Sequence, residues 1–153
     1  MTIITDLKTL YEIDPDQWRE ETIKILKENR LNELDLENLI EELEDLGRSE
    51  KNAVESVLEQ VIRHLLLLQY WSQEYQYNQS HWKAEITGFR TQLKRKLTTN
   101  LQNYLLKELP SLYEDALAYV NQKTNFEVEF PPESPYSLTE LLNINYFPEP
   151  EHN

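Results

Sequence analysis

From Leu36 to Leu68 apolar side chains return every three or four residues: Leu36, Leu39, Ile40, Leu43 and Leu46, then, past Gly47, Val54, Val57, Leu58, Val61, Leu65 and Leu68. That spacing gathers them on one face of a helix and would scatter them over both faces of a strand. As one element, residues 36–70 would measure about 50 Å at 1.5 Å per residue. A rod of that length must be covered along its apolar side, so it dictates the architecture. We expect an all-α bundle of four to five helices around one long helix. Asp35 suits its N-cap. Gly47 is the weak point. It can be carried inside the helix at about 1 kcal/mol, or it can end one helix while Ser49 caps the next. We favour continuity, supported by Glu44 and Arg48 at i,i+4.

The shorter elements follow from cap signals. Asp14, Pro15 and Asp16 suit an N-cap, a first turn and the positive end of a helix dipole. The helix they open carries a stripe of Trp18, Thr22 or Ile23, Ile25 and Leu26, and ends near Asn29. Residues 30–35 read as a connector. The polar run SQEYQYNQS reads as a second connector, with Ser80 capping a helix striped by Trp82, Ile86, Phe89, Leu93 and Leu97. A further pattern begins after Asn100 with Leu101, Tyr104 and Leu105. Pro110 interrupts it, and another helix follows through Leu112, Ala116, Tyr119 and Val120. The last stretch holds 5 of the 7 prolines, then Ser137 and Glu140 as a capping box before LTELL. Phe126, Phe130, Tyr136, Tyr146 and Phe147 are too many rings for a disordered tail. An aromatic, proline-rich wrap over about residues 126–148 is expected, on a helical core of about 7–125, the whole of 1–153 forming a single domain.

Five stretches together resemble a known family: LYEIDPDQW (10–18), LDLENLIEELEDLGRSE (34–50), HLLLLQY (64–70), the spacing Trp82, Ile86, Arg90, and FPPESPYSLTELL (130–142). The chain resembles domain-of-unknown-function family 29, an all-helical family abundant in cyanobacteria. The resemblance covers most of residues 7–148 and implies a compact helical domain of prokaryotic, cytoplasmic origin. It implies no activity, substrate or catalytic residue.

Charge and composition bound the function. The net charge is −13, distributed as −10 over residues 1–59, zero over 60–79, +4 over 80–100 and −7 over 101–153. An acidic surface repels phosphate and anionic lipid. With no cysteine there is neither a disulfide framework nor a thiolate metal site. The amino end lacks the basic start and apolar core of a secretory signal, and no apolar run approaches the roughly 20 residues of a membrane span. The cytoplasm is the expected location.

Candidate chemistry is sparse. His64 sits on the flank of the long stripe, where Leu65 to Leu68 cover nearly every side of the helix. A histidine at such a border ordinarily donates one ring nitrogen to a carbonyl and packs its face, although imidazole also exchanges protons near neutral pH. With antiparallel helices, Trp71 and His64 would approach Trp82, and Arg90, eight residues further on, could hold a carboxylate or phosphate. His64, Trp71, Trp82 and Arg90 are therefore the candidate binding pocket, against the plainer roles of core tryptophan and snorkelling arginine. Arg90, Lys94, Arg95 and Lys96 form a basic patch. It could contact nucleic acid, but the acidic faces of this chain or of another protein are the better match.

No catalytic set is recognised. A zinc site needs four placed ligands, and the third histidine, His152, sits near the end beside Glu149 and Glu151. Glu37, Glu41 and Glu44 oppose the leucine stripe as a solvated face and lack the Glu-x-x-His partners of bundle di-metal sites. Two glycines cannot build a phosphate-cradling loop. No metal or cofactor is expected. The leading expectation is a small acidic protein-interaction module. The alternatives are a small-molecule or enzymatic pocket at His64, Trp71, Trp82 and Arg90, and a nucleic-acid contact through 90–96.

Overall fold

Asp14 closes one helix and opens the next. In the computed structural model, which describes residues 6–151, its N–H donates to the carbonyl of Leu10 at 2.8 Å, ending helix α1 (Leu7–Ile13). Its carboxylate accepts from the N–H of Gln17 at 3.1 Å and caps helix α2 (Pro15–Lys27), with Pro15 in the first turn where no N–H is needed. Helix α1 was not anticipated from the sequence; seven residues with no buried side chain leave too short a pattern to read. Helix α2 ends in a Schellman turn. Asn29 takes φ 58°, the N–H of Arg30 donates to Ile25 and that of Asn29 to Leu26. A 3-10 turn, Leu31–Glu33, leads to helix α3 (Leu36–Tyr70), which runs unbroken through Gly47. Nothing lies within 4 Å of where a Cβ on Gly47 would be, so the residue serves neither a turn nor a close approach.

The described residues are helix, turn and irregular chain, without a strand, and form an all-α bundle. They divide into two compact units, one up to Ser49 and the other from Glu50. In the first, Trp18 and Ile25 are the buried apolar side chains, with Thr22 and Asp35 buried beside them. The Trp18 indole donates to the Asp35 carboxylate at 3.2 Å, and Asn38 donates to the same oxygen at 2.6 Å. The ring of Tyr11 meets Trp18 edge-on, 4.9 Å between centroids. Here the expected burial fails. Leu36, Ile40, Leu43 and Leu46, the first half of the long stripe, are exposed, as are Ile23 and Leu26 of α2. Periodicity shows which side chains share a face, not whether anything covers it.

In the second unit the same stripe is buried. Val54, Leu58, Val61, Ile62 and Leu65 to Leu68 are fully enclosed, and around them stand Ile86, Leu93, Leu105, Ala116, Val120 and Leu141. Helix α4 spans Ser72–Lys96, α5 Thr99–Lys123 and α6 Leu138–Leu142. Two expected interruptions are absent. SQEYQYNQS is no connector and Ser80 no cap: α4 begins directly after the single turn residue Trp71. The run has neither glycine nor proline, and Asn78 donates back to the carbonyl and carboxylate of Glu74 one turn earlier. Nor does Pro110 divide α5, which passes through it as one helix, with the proline on the exposed side.

The tail folds back as expected. The Ser137–Glu140 capping box is formed, Phe130 and Tyr136 are buried, and Tyr146 and Phe147 pack partly against the core. The Tyr136 hydroxyl donates to the side chain of Gln69 at 2.8 Å, and the N–H of Glu151 donates to the Gln69 carbonyl at 2.7 Å, satisfying a carbonyl left open at the end of α3. Phe126 is the exception. It is 66% exposed, in a Schellman turn that closes α5, where Asn125 and Phe126 both take positive φ.

Candidate functional site

Helix position alone puts His64 where a polar partner is scarce: leucines surround it, and the carbonyl of Gln60 lies one turn back. Its Nδ1 is 2.7 Å from that carbonyl. A carbonyl only accepts, so Nδ1 carries the proton and Nε2 is the free acceptor of the neutral ring. The ring packs against Phe89, centroids 5.3 Å apart. Burial pushes its pKa below the ordinary value, against the raising effects of the Gln60 hydrogen bond and Glu85.

Trp71 and Trp82 are brought together. Their rings stack at 17° with centroids 6.1 Å apart, Trp71 from the turn between α3 and α4 and Trp82 from within α4. Arg90 turns elsewhere. Its guanidinium is buried and donates to three carbonyls: Nε to Leu141 at 2.8 Å, one terminal nitrogen to Tyr146 at 2.7 Å, the other to Glu140 at 3.0 Å. It also lies 5.3 Å from the Phe147 ring centre. Burial pushes its pKa down to about 10. Sequence spacing placed it correctly on the Trp82 and Ile86 face, but its partners lie some fifty residues on.

Arg90 is accordingly no part of an exposed basic patch, a correction to the expected set. Lys94, Arg95 and Lys96 are exposed in the last turn of α4, where cations favour the negative end of the helix dipole. Among the described residues none of the three forms an ion pair. No group of three or more His, Asp or Glu among the described residues is placed to hold a metal ion; His152 lies outside them.

The more unusual surface is one whose residues were read as core. Helices α2 and α3 leave between them a groove of about 560 Å³, lined by Trp18, Leu26, Leu39, Leu43 and Leu46, with Arg19 among its polar side chains. Its rim is polar. Glu42 accepts from the Tyr11 hydroxyl at 2.6 Å, which pushes that phenol up to about 12, and Asp45 pairs with Arg48. Up to Ser49 the chain carries 14 acidic and 6 basic side chains, a net −8, against −5 for the remainder. An exposed apolar line inside a strongly acidic unit is the feature that composition and periodicity contained separately, without showing that they coincide in the open.

The sequence profile of the family described as Domain of unknown function DUF29 matches residues 10–147. The chain belongs to that family. The match spans α2 to α6 and so includes both the groove and the Arg90 anchorage of the tail. No curated protein and no solved structure matches this DUF29 chain. Among the described residues no helix is long and apolar enough to cross a membrane.

Proposed function

We propose that this DUF29 chain is a protein-interaction module that docks through the open face of its first unit. The supporting observation is the exposure of Leu36, Ile40, Leu43 and Leu46 on α3, of which Leu43 and Leu46 line a groove with Ile23 and Leu26 of α2. Scattered surface leucines need no explanation, but a contiguous apolar patch with a polar rim is the usual mark of a binding surface. Burying one such leucine against a partner contributes about 1.5–3 kcal/mol, so a few of them suffice for a specific complex. The cytoplasm remains the proposed setting, from the cysteine-free sequence.

The experiment is reconstitution. A protein that co-elutes with the native chain is identified, purified and mixed back with it. A 1:1 complex on gel filtration, lost with Leu43→Glu while the circular dichroism of the free chain is unchanged, supports the module. A complex indifferent to Leu43→Glu and to Leu46→Glu rejects this face as its docking surface.

A further inference from the structure

The first unit leaves apolar side chains in the open. It encloses two apolar side chains, Trp18 and Ile25, while four large ones on α3 stand 53–60% exposed. Helix α1 packs on Trp18 through Tyr11 but contributes no side chain to the lining of the groove between α2 and α3. The α3 side of the groove runs from Leu39 to Ser49, about 15 Å or close to three turns, with Leu39, Leu43 and Leu46 at the i, i+4, i+7 spacing by which a helix and a groove meet.

Charge selects among occupants. A second copy meeting the same face would bring a unit of −8 against another of −8, and like charges at a contact oppose association. The basic end of α4 in a second copy does not fit either. Leu93, its nearby apolar side chain, is fully buried, so Lys94, Arg95 and Lys96 offer charge with no free apolar face. Nucleic acid and anionic lipid are repelled. Building on the interaction module proposed above, we infer that the groove between α2 and α3 takes an amphipathic helix of a different protein, about three turns long, with a leucine-like face and lysine or arginine on its flanks.

The test uses the isotope-labelled full chain and three short helical peptides: a leucine face with lysine flanks, the same face with glutamate flanks, and the leucine–lysine composition shuffled so that the leucines share no face. The lysine-flanked peptide is expected to bind 1:1, shifting the resonances of residues 39–46 and the Trp18 indole. The glutamate-flanked peptide should bind at least about tenfold more weakly at low salt, because charge complementarity is screened and sign-dependent. The shuffled peptide should give no localised shifts. Leu43→Glu should abolish binding, and Glu42→Lys with Asp45→Lys should weaken it, while each variant keeps the circular dichroism of the native chain.

Equal binding of lysine- and glutamate-flanked peptides in the groove would overturn the basic partner and leave the docking face standing. Shifts confined to residues after Glu50 would overturn the inferred site, and reconstitution with the purified co-eluting protein would still judge the module separately. A Leu43-dependent dimer in sedimentation, or Leu43-dependent binding to phosphatidylglycerol vesicles, would replace the partner helix with a second copy or a membrane.

Discussion

Arg90 on α4 donates from Nε to the carbonyl of Leu141 on α6, 2.8 Å away and 51 residues further along the chain. Helix α6 has only five residues, so most of its last carbonyls find no partner within the helix, although the N–H of Asn143 donates to that of Glu140 at 3.2 Å. Arg90 answers two of them, Glu140 and Leu141, and reaches Tyr146 with its third nitrogen. The end of α6 and the chain after it are thus tied to α4 by one arginine, beside the Tyr136 and Glu151 bonds to Gln69.

Arg90→Ala should therefore destabilise the second unit by about 3 kcal/mol or more, since hydrogen bonds to a charged donor are worth about 1.5–3 kcal/mol each and the carbonyls are left bare. Arg90→Lys should recover less than half, because a point ammonium cannot span three carbonyls as a planar fork does. Urea midpoints report the loss, and amide exchange at residues 141–146 should rise with it. A midpoint unchanged in Arg90→Ala would show that the anchorage contributes nothing, as an arginine reserved for a ligand would.

His64 predicts a pH dependence. Its folded pKa lies below the ordinary 6.5 because burial disfavours the charged ring. Above that value the ring is neutral in both states and its contribution to stability is fully present. As pH falls through the folded pKa, the folded protein must charge a buried ring, and the contribution is lost. The groups facing it act in both directions: Glu85 on α4 raises the pKa, His81 on α4 and Lys123 on α5 lower it. Stability of the native chain should fall between pH 7 and 5 more steeply than that of His64→Gln, whose amide can still donate to Gln60. Parallel slopes, measured by denaturant titration in a His81→Gln background, would contradict this.

The parts of the fold that were legible in the sequence are those set by local chemistry. Asp14, Pro15, Ser137 and Glu140 announce helix starts because a cap bonds to residues three positions away. The enclosed end of α3 was legible because Leu65 to Leu68 leave the helix no solvent face. Polar composition misled at SQEYQYNQS, where a helix needs only the absence of breakers once Trp71 and Trp82 hold its start. Arg90 was legible as a face and not as a contact, since its partners come from a distant segment. The open groove was hidden for a related reason. A stripe on α3 looks the same in sequence whether or not another layer covers it.

Pro110 lies inside α5 on its exposed side. It lacks the N–H that would bond the carbonyl of Leu106, and its ring crowds that carbonyl. A proline in a helix interior is about 3 kcal/mol worse than alanine, offset by about 0.4–1 kcal/mol because proline also restricts the unfolded chain. Pro110→Ala should accordingly stabilise the protein by about 2 kcal/mol, read as a higher urea midpoint at unchanged slope. A lower midpoint would mean that the proline is needed to seat Tyr113, whose hydroxyl donates to the Pro131 carbonyl at 2.5 Å.

The two halves of α3 carry the same residue type in opposite surroundings, which separates folding from docking. Leu65 is fully buried and Leu43 is 60% exposed. Leu65→Ala removes enclosed methyl groups and leaves a cavity, so it should cost about 2–5 kcal/mol. Leu43→Ser removes a side chain that the isolated chain leaves mostly exposed and should change stability by no more than about 0.5 kcal/mol, with helicity unaltered. Once the partner helix is bound, the order changes. The complex of Leu43→Ser should dissociate at least about tenfold faster than the native one, since a leucine anchor is worth roughly 1.5–3 kcal/mol and about 1.4 kcal/mol is a factor of ten. If Leu43→Ser instead unfolds the free chain as Leu65→Ala does, the first half of α3 is already covered in solution, and the groove is no longer open to a partner.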